Sequence, residues 1–208
     1  MPVEKAELDP LGNYEQGKEL YSAQRYQDAF PLLSFAAERG HAGAQFAIAE
    51  MHGNAWGVSH DDVEAARWYR KAAEQGHVEA LHALALMYEQ GRGGPEDHAE
   101  ALRCFCQAAE RGHAPSQSSL GVMYATGSGV PKDLGAALSW FRKAAEQNDA
   151  DAQRNLGMAY RFGNGVDQEL GIALYWFERA ASQGHAGAHA YVVKLRLEGV
   201  TPRVSQGG

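Results

Sequence analysis

The side chains most able to do chemistry in this 208-residue chain are its histidines, and their spacing limits what that chemistry can be. Gly40-His41, Gly76-His77, Gly112-His113 and Gly184-His185 fall in one register of 36 residues, and Asn148-Asp149 fills the same register once. A metal site needs ligands converging on one ion, whereas equivalent positions on successive packed helices stand about 10 Å apart. These residues therefore read as turn positions that cap or hydrogen-bond the start of the next helix. His185 and His189 form the one pair of histidines at i, i+4, and no third ligand accompanies them, so neither metal nor cofactor is expected. Ser116, Ser118 and Ser119 lack a GxSxG elbow or an SxxK motif. Asp61-Asp62, Glu96-Asp97 and Asp133 recur where a helix would begin, and there a free N–H array favours a capping carboxylate over an acid–base pair. Cys104 and Cys106 point apart on a helix and read as a buried small hydrophobe and a structural thiol.

The elements that hold these residues follow from a second periodic signal. Ala36-Ala37, Ala72-Ala73, Ala108-Ala109, Ala144-Ala145 and Ala180-Ala181 recur every 36 residues. A period of that size denotes a supersecondary unit that buries its apolar face only by stacking on copies of itself. Ile48, Leu84, Leu120, Leu156 and Val192 share one phase, and Tyr88, Tyr124 and Tyr160 lie four residues on, which is one face of a first helix. Ala65, Ala101, Ala137 and Ala173 precede Trp68, Cys104, Trp140 and Trp176, the small–large spacing of a second helix that approaches its neighbours closely. Between them run Gly91-Arg92-Gly93, Gly127-Ser128-Gly129-Val130-Pro131, Gly163-Asn164-Gly165-Val166 and the variant Ala55-Trp56-Gly57-Val58. Their first residue sits where a helix ends left-handed. No strand precedes these glycines and no phosphate-binding motif is complete, so they read as bends. The fold expected is all-α: five antiparallel helix pairs and a terminal helix, with a tighter turn in the first pair.

Leu120-Gly121-Val122-Met123-Tyr124, then Gly127-Ser128-Gly129-Val130-Pro131-Lys132-Asp133, Ala137 and Trp140-Phe141-Arg142-Lys143-Ala144-Ala145, resemble the Sel1-like repeat, a relative of the tetratricopeptide repeat. The resemblance covers roughly residues 42 to 199. Gly17, Leu20, Arg25-Tyr26-Gln27-Asp28-Ala29 and Leu33 are similar to an ordinary tetratricopeptide repeat instead. One solenoid domain over 1–208 is implied, with the tetratricopeptide-like repeat at 11–41. Sel1-like repeats follow at 42–76, 77–112, 113–148 and 149–184, then a closing helix at 185–199 and a tail at 200–208. The resemblance implies right-handed superhelical stacking and protein–protein interaction, with no particular partner.

Net charge is −7 without a basic stripe, so nucleic acid is not expected as a partner. No apolar leader or membrane-length stretch is visible, which gives the expectation of a soluble cytoplasmic protein, monomeric or weakly dimeric. In tetratricopeptide-type stacks the first helices line the concave groove. Carried over position by position, the lining here is Tyr14, Lys18 and Tyr21; Phe46 and Glu50; His82, Leu86 and Glu89; Ser118, Val122 and Ala125; Arg154, Met158 and Arg161; Lys194 and Leu197. Asn155 adds a hydrogen-bonding group, although the lysines and second asparagine of a carboxylate clamp are missing. A peptide or helix of a protein partner is the expected occupant, its apolar side chains on Leu86, Val122 and Met158 and its acidic groups near Arg154, Arg161 and Lys194. A non-enzymatic scaffold or adaptor leads. Self-assembly through a C-terminal helix that lacks a polar cap, and a hydrolase, are the alternatives.

Overall fold

The computed structural model describes residues 9–204, and among them every regular element is a helix. In chain order these are α1 (Pro10–Ser22), α2 (Tyr26–Glu38), α3 (Ala42–Asn54), α4 (Asp62–Glu74), α5 (Val78–Gln90), α6 (His98–Glu110), α7 (Ala114–Thr126), α8 (Leu134–Glu146), α9 (Ala150–Phe162), α10 (Leu170–Ser182) and α11 (Ala186–Leu197). From α3 onward, first helices start 36 residues apart and so do second helices. The first pair is joined by three residues, 23–25, where later pairs use seven, so its tighter turn is present as expected. Contacts divide the chain into two compact units, one up to Cys104 and one from Phe105.

In the first unit α1 packs on α2, α3 on α4, and α2 and α4 each on the following first helix. Its buried core is alanine-rich, with Ala29, Ala36, Ala44, Ala65, Ala72 and Ala80 fully enclosed around Leu33, Ile48 and Met51. Small residues let the helix axes approach; larger ones would strain a packed interior. Gly93 shows how a bend is fastened: it is left-handed (φ 72°), and a Cβ there would collide with the backbone of Asp62 at the start of α4.

The second unit repeats this with α7 on α8, α9 on α10, and α8 and α10 on α9 and α11. Phe141 and Phe177 are buried rings of this unit, and each lies on the glycine of the facing first helix; a Cβ at Gly157 would stand 2.6 Å from the Phe177 ring. In α11 the inward residues Ala188, Val192 and Leu195 are buried. The outward positions, where earlier first helices meet their own second helix, carry His189, Val193 and Arg196, and Arg196 pairs with Glu178 at 2.8 Å. Two of these three side chains are polar, while Val193 and, on the same helix, Leu197 are exposed apolar residues. The tail returns to α10, where the Arg203 N–H donates to the Gly171 carbonyl at 2.9 Å. Among the described residues no helix is long and apolar enough to cross a membrane.

Candidate functional site

The chemically suggestive residues are mostly occupied in ending and starting helices. His41, His77, His113 and His185 each accept the backbone N–H three residues on through Nδ1, at 3.2, 3.3, 3.3 and 3.2 Å. Asp149 does the same for the Ala152 N–H at 2.7 Å. Asp61, Asp97 and Asp133 cap α4, α6 and α8, as the sequence pattern predicts. Asp62, beside Asp61, instead pairs with Arg92 at 2.6 Å, and that guanidinium holds its carboxyl below the usual carboxylate range. Burial pushes the Cys104 thiol up to about 11, and that of Cys106 upward too, so both stay protonated at neutral pH and are poor nucleophiles. Ser116 and Ser118 are buried, and Ser118 hydrogen-bonds Asp149, which removes it from the groove lining expected of it. Among the described residues no group of three or more His, Cys, Asp or Glu side chains is placed to hold a metal ion.

First-helix side chains of the first unit are largely engaged with their neighbours. Tyr14 stacks on the capping imidazole of His41 at 3.8 Å between ring centroids, and Phe46 stacks on that of His77 at 4.7 Å. Lys18 is exposed, its Nζ 5.9 Å from the Tyr14 ring centre. The Tyr21 hydroxyl donates to Glu50 Oε2 at 2.8 Å. Burial raises the Glu50 carboxyl and, still more, the Tyr21 phenol, while the bond from Tyr21 partly offsets the shift at Glu50. His82 and Glu89 are half-buried. Leu86, also half-buried, lines a cavity of about 200 Å³ with Tyr69, Met87 and Arg92.

The second unit holds a larger recess, of about 350 Å³, between α7, α8 and α9. Val122, Ala125, Arg154, Asn155 and Met158 line it from the first helices, and Leu138 and Phe141 from the second. Val122 is 41% exposed although its neighbours Gly121 and Met123 are buried, so its isopropyl group stands at the edge of the recess. Arg154 Nη1 donates to Asn155 Oδ1 at 3.1 Å. Lys132, from the bend, also lines the recess, and no sequence pattern placed it there. Arg161 lies outside, its guanidinium 4.9 Å from the Tyr191 ring centre, and Lys194 and Leu197 are exposed on α11.

A glutamine ladder, buried at its first-helix members and exposed at its second-helix ones, is the feature that periodicity did not reveal. Gln45, Gln117 and Gln153 donate to the carbonyls of Ala37, Ala109 and Ala145 at 3.1, 3.0 and 3.2 Å. Gln75, Gln147 and Gln183, from the ends of the second helices, in turn donate to those same amides at 2.7, 2.8 and 2.8 Å. Leu81 and Arg111 interrupt the series, which hid it.

Comparison with known proteins agrees with this geometry. A Sel1 repeat protein from Oxalobacter formigenes is 33% identical, with a TM-score of 0.85 over 91% of this chain and 78% of that one. A protective antigen present in uropathogenic Escherichia coli strains, displaying an SLR fold, is 30% identical with a TM-score of 0.86, covering 94% of this chain and 43% of that one. Exopolysaccharide production negative regulators of Rhizobium leguminosarum bv. viciae and Rhizobium meliloti are each 33% identical over 63 residues, 30% of this chain and 24% of theirs. The chain thus spans about a quarter of the length of these curated relatives. The family model of the Sel1 repeat matches residues 42–77, 78–113, 114–149 and 150–185 in unbroken succession, and the chain belongs to the Sel1 repeat family.

Proposed function

We propose that this protein is a non-enzymatic scaffold or adaptor that binds a peptide or helix of a protein partner on the face of its first helices. Sel1 repeat proteins generally mediate protein–protein interaction. The observation that carries the reading here is the recess between α7, α8 and α9, where Val122 is 41% exposed beside Met158, Arg154 and Asn155. Large apolar side chains held at a concave edge by packed helices favour a docked apolar group. The histidines, carboxylates and thiols described above have capping, pairing or packing roles, so binding rather than turnover is what the surface supplies. Regulation, which their names state for the rhizobial relatives, is a task such a module performs by contact alone.

A photo-crosslinking amino acid placed at position 122, with position 142 on α8 as control, tests this in cells that produce the chain. Position 122 is expected to yield discrete protein adducts that a Met158→Glu change abolishes. Adducts formed only from position 142 would move the function to the second helices.

A further inference from the structure

The recess of the second unit carries more than an apolar floor, and its charge is not balanced. Its lining contains Lys132, Arg154, Asn155 and Asn164 and no Asp or Glu. Arg154 hydrogen-bonds only the neutral amide of Asn155, and Lys132 is exposed with no carboxylate partner. Outside the recess, Arg196 of the same unit pairs with Glu178 and Arg203 reaches Glu169 at 3.8 Å. Uncompensated cations beside apolar surface select an anionic group next to an apolar one.

The size of the recess narrows the ligand. About 350 Å³ lies at the low end of the range of small-molecule sites, roughly 300–1,000 Å³, and suits one or two large side chains. The Asn155 amide, with a donor and an acceptor, suits a peptide group passing over the rim.

Resting on the interaction reading above, we infer that this recess recognises an acidic–apolar pair in an extended segment of a partner protein. A Leu, Phe or Met side chain enters between Val122, Phe141 and Met158, and an Asp or Glu within two residues of it lies against Arg154 and Lys132.

Random peptides displayed on phage, panned on the full chain, test both levels. The enriched peptides should carry Asp or Glu within two residues of a large apolar residue. Their affinity should fall about tenfold or more in Val122→Glu, an exposed position that does not threaten folding, and in Lys132→Glu/Arg154→Glu. Panning on the latter should shift the selection toward Lys or Arg at the flanking position. Enriched peptides that Val122→Glu abolishes, but that lack acidic residues or survive the charge reversal, overturn this inference and leave the interaction reading standing. Peptides indifferent to Val122→Glu and Met158→Glu alike, or no enrichment at all, overturn both. A dimer in sedimentation that Val122→Glu dissolves identifies a second copy as the occupant, and displacement of the peptides by an equal concentration of laurate identifies a lipid anion; either result overturns the assignment to a partner segment.

Discussion

Ala55 closes α3 in the left-handed region at φ 58°, where the matching bends carry Gly91, Gly127 and Gly163. A Cβ in that region costs about 1–2 kcal/mol, against which glycine loses roughly 0.5–1 kcal/mol more chain entropy on folding. The residue after it explains how alanine is held there: Trp56 stacks on Tyr26 at 5.1 Å and meets Tyr21 edge-on at 5.9 Å, so the bend is anchored by rings. Ala55→Gly is therefore expected to stabilise the protein by about 0.5–1 kcal/mol in urea denaturation with an unchanged slope. A loss of stability would mean that the backbone strain is already relieved by the Trp56 anchor. Asn148, also left-handed at φ 71°, shows the other solution: its amide tolerates that region and ties Gln153 to Arg179 through bonds of 3.0 Å each.

At the scale of the element, α5 depends on a histidine cap whose acceptor is lost on protonation. His77 Nδ1 accepts the Ala80 N–H, and a protonated ring could not; it would also set a positive charge at the positive end of α5. Burial lowers the His77 pKa, an effect that Glu79 at 3.3 Å opposes and His41 reinforces. With the folded pKa below the ordinary histidine value, the unfolded chain binds the proton more readily. The contribution is thus present above the ordinary value and is lost as pH falls through the folded one. His77→Asn, a cap that does not titrate there, is expected to flatten the decline of stability between about pH 7 and 5, read by thermal melts across that window. An unchanged slope would assign the decline to other groups.

Across the molecule, legibility in the sequence follows the physics of each signal. Helix pairs, bends and capping carboxylates were legible because alanine pairs, glycines and Asp61, Asp97 and Asp133 recur in one register. The glutamine ladder was not, since a polar residue in a core register resembles a surface position until its partners are known, and Leu81 breaks the series. For the candidate site, register located Val122, Arg154, Asn155 and Met158 at the recess, but it could not find Lys132, which a bend contributes. Nor could it show that Tyr14 and Phe46 stack on capping histidines, because a ring packed against a turn has no periodic mark.

Because a repeat packs on its neighbours in sequence, a whole one should be removable from the second unit. Deleting residues 150–185 joins Asp149 to Ala186, so that Asp149 becomes the cap of α11 and α8 receives the face that α10 had held. The replacements are in register. Ala188, Val192 and Leu195 fall where Ala152, Leu156 and Ala159 were buried; Phe141 replaces Phe177 as the ring beneath Tyr191; and Gly135 offers the carbonyl that Gly171 gave to the tail. Two mismatches arise: Arg142 stands where Glu178 paired with Arg196, and Ala136 stands where Ile172 packs against the core shared with α11. The shortened chain is expected to keep its helicity per residue by circular dichroism and to lose about 2–5 kcal/mol, the share of 36 residues at ordinary stability. Adding Arg142→Glu should return up to about 1 kcal/mol, the worth of an exposed pair. Recess binding should vanish, since Arg154, Asn155 and Met158 go with the deleted helix. A collapse of helicity would show that α9 and α10 supply contacts that the repeat register does not reproduce.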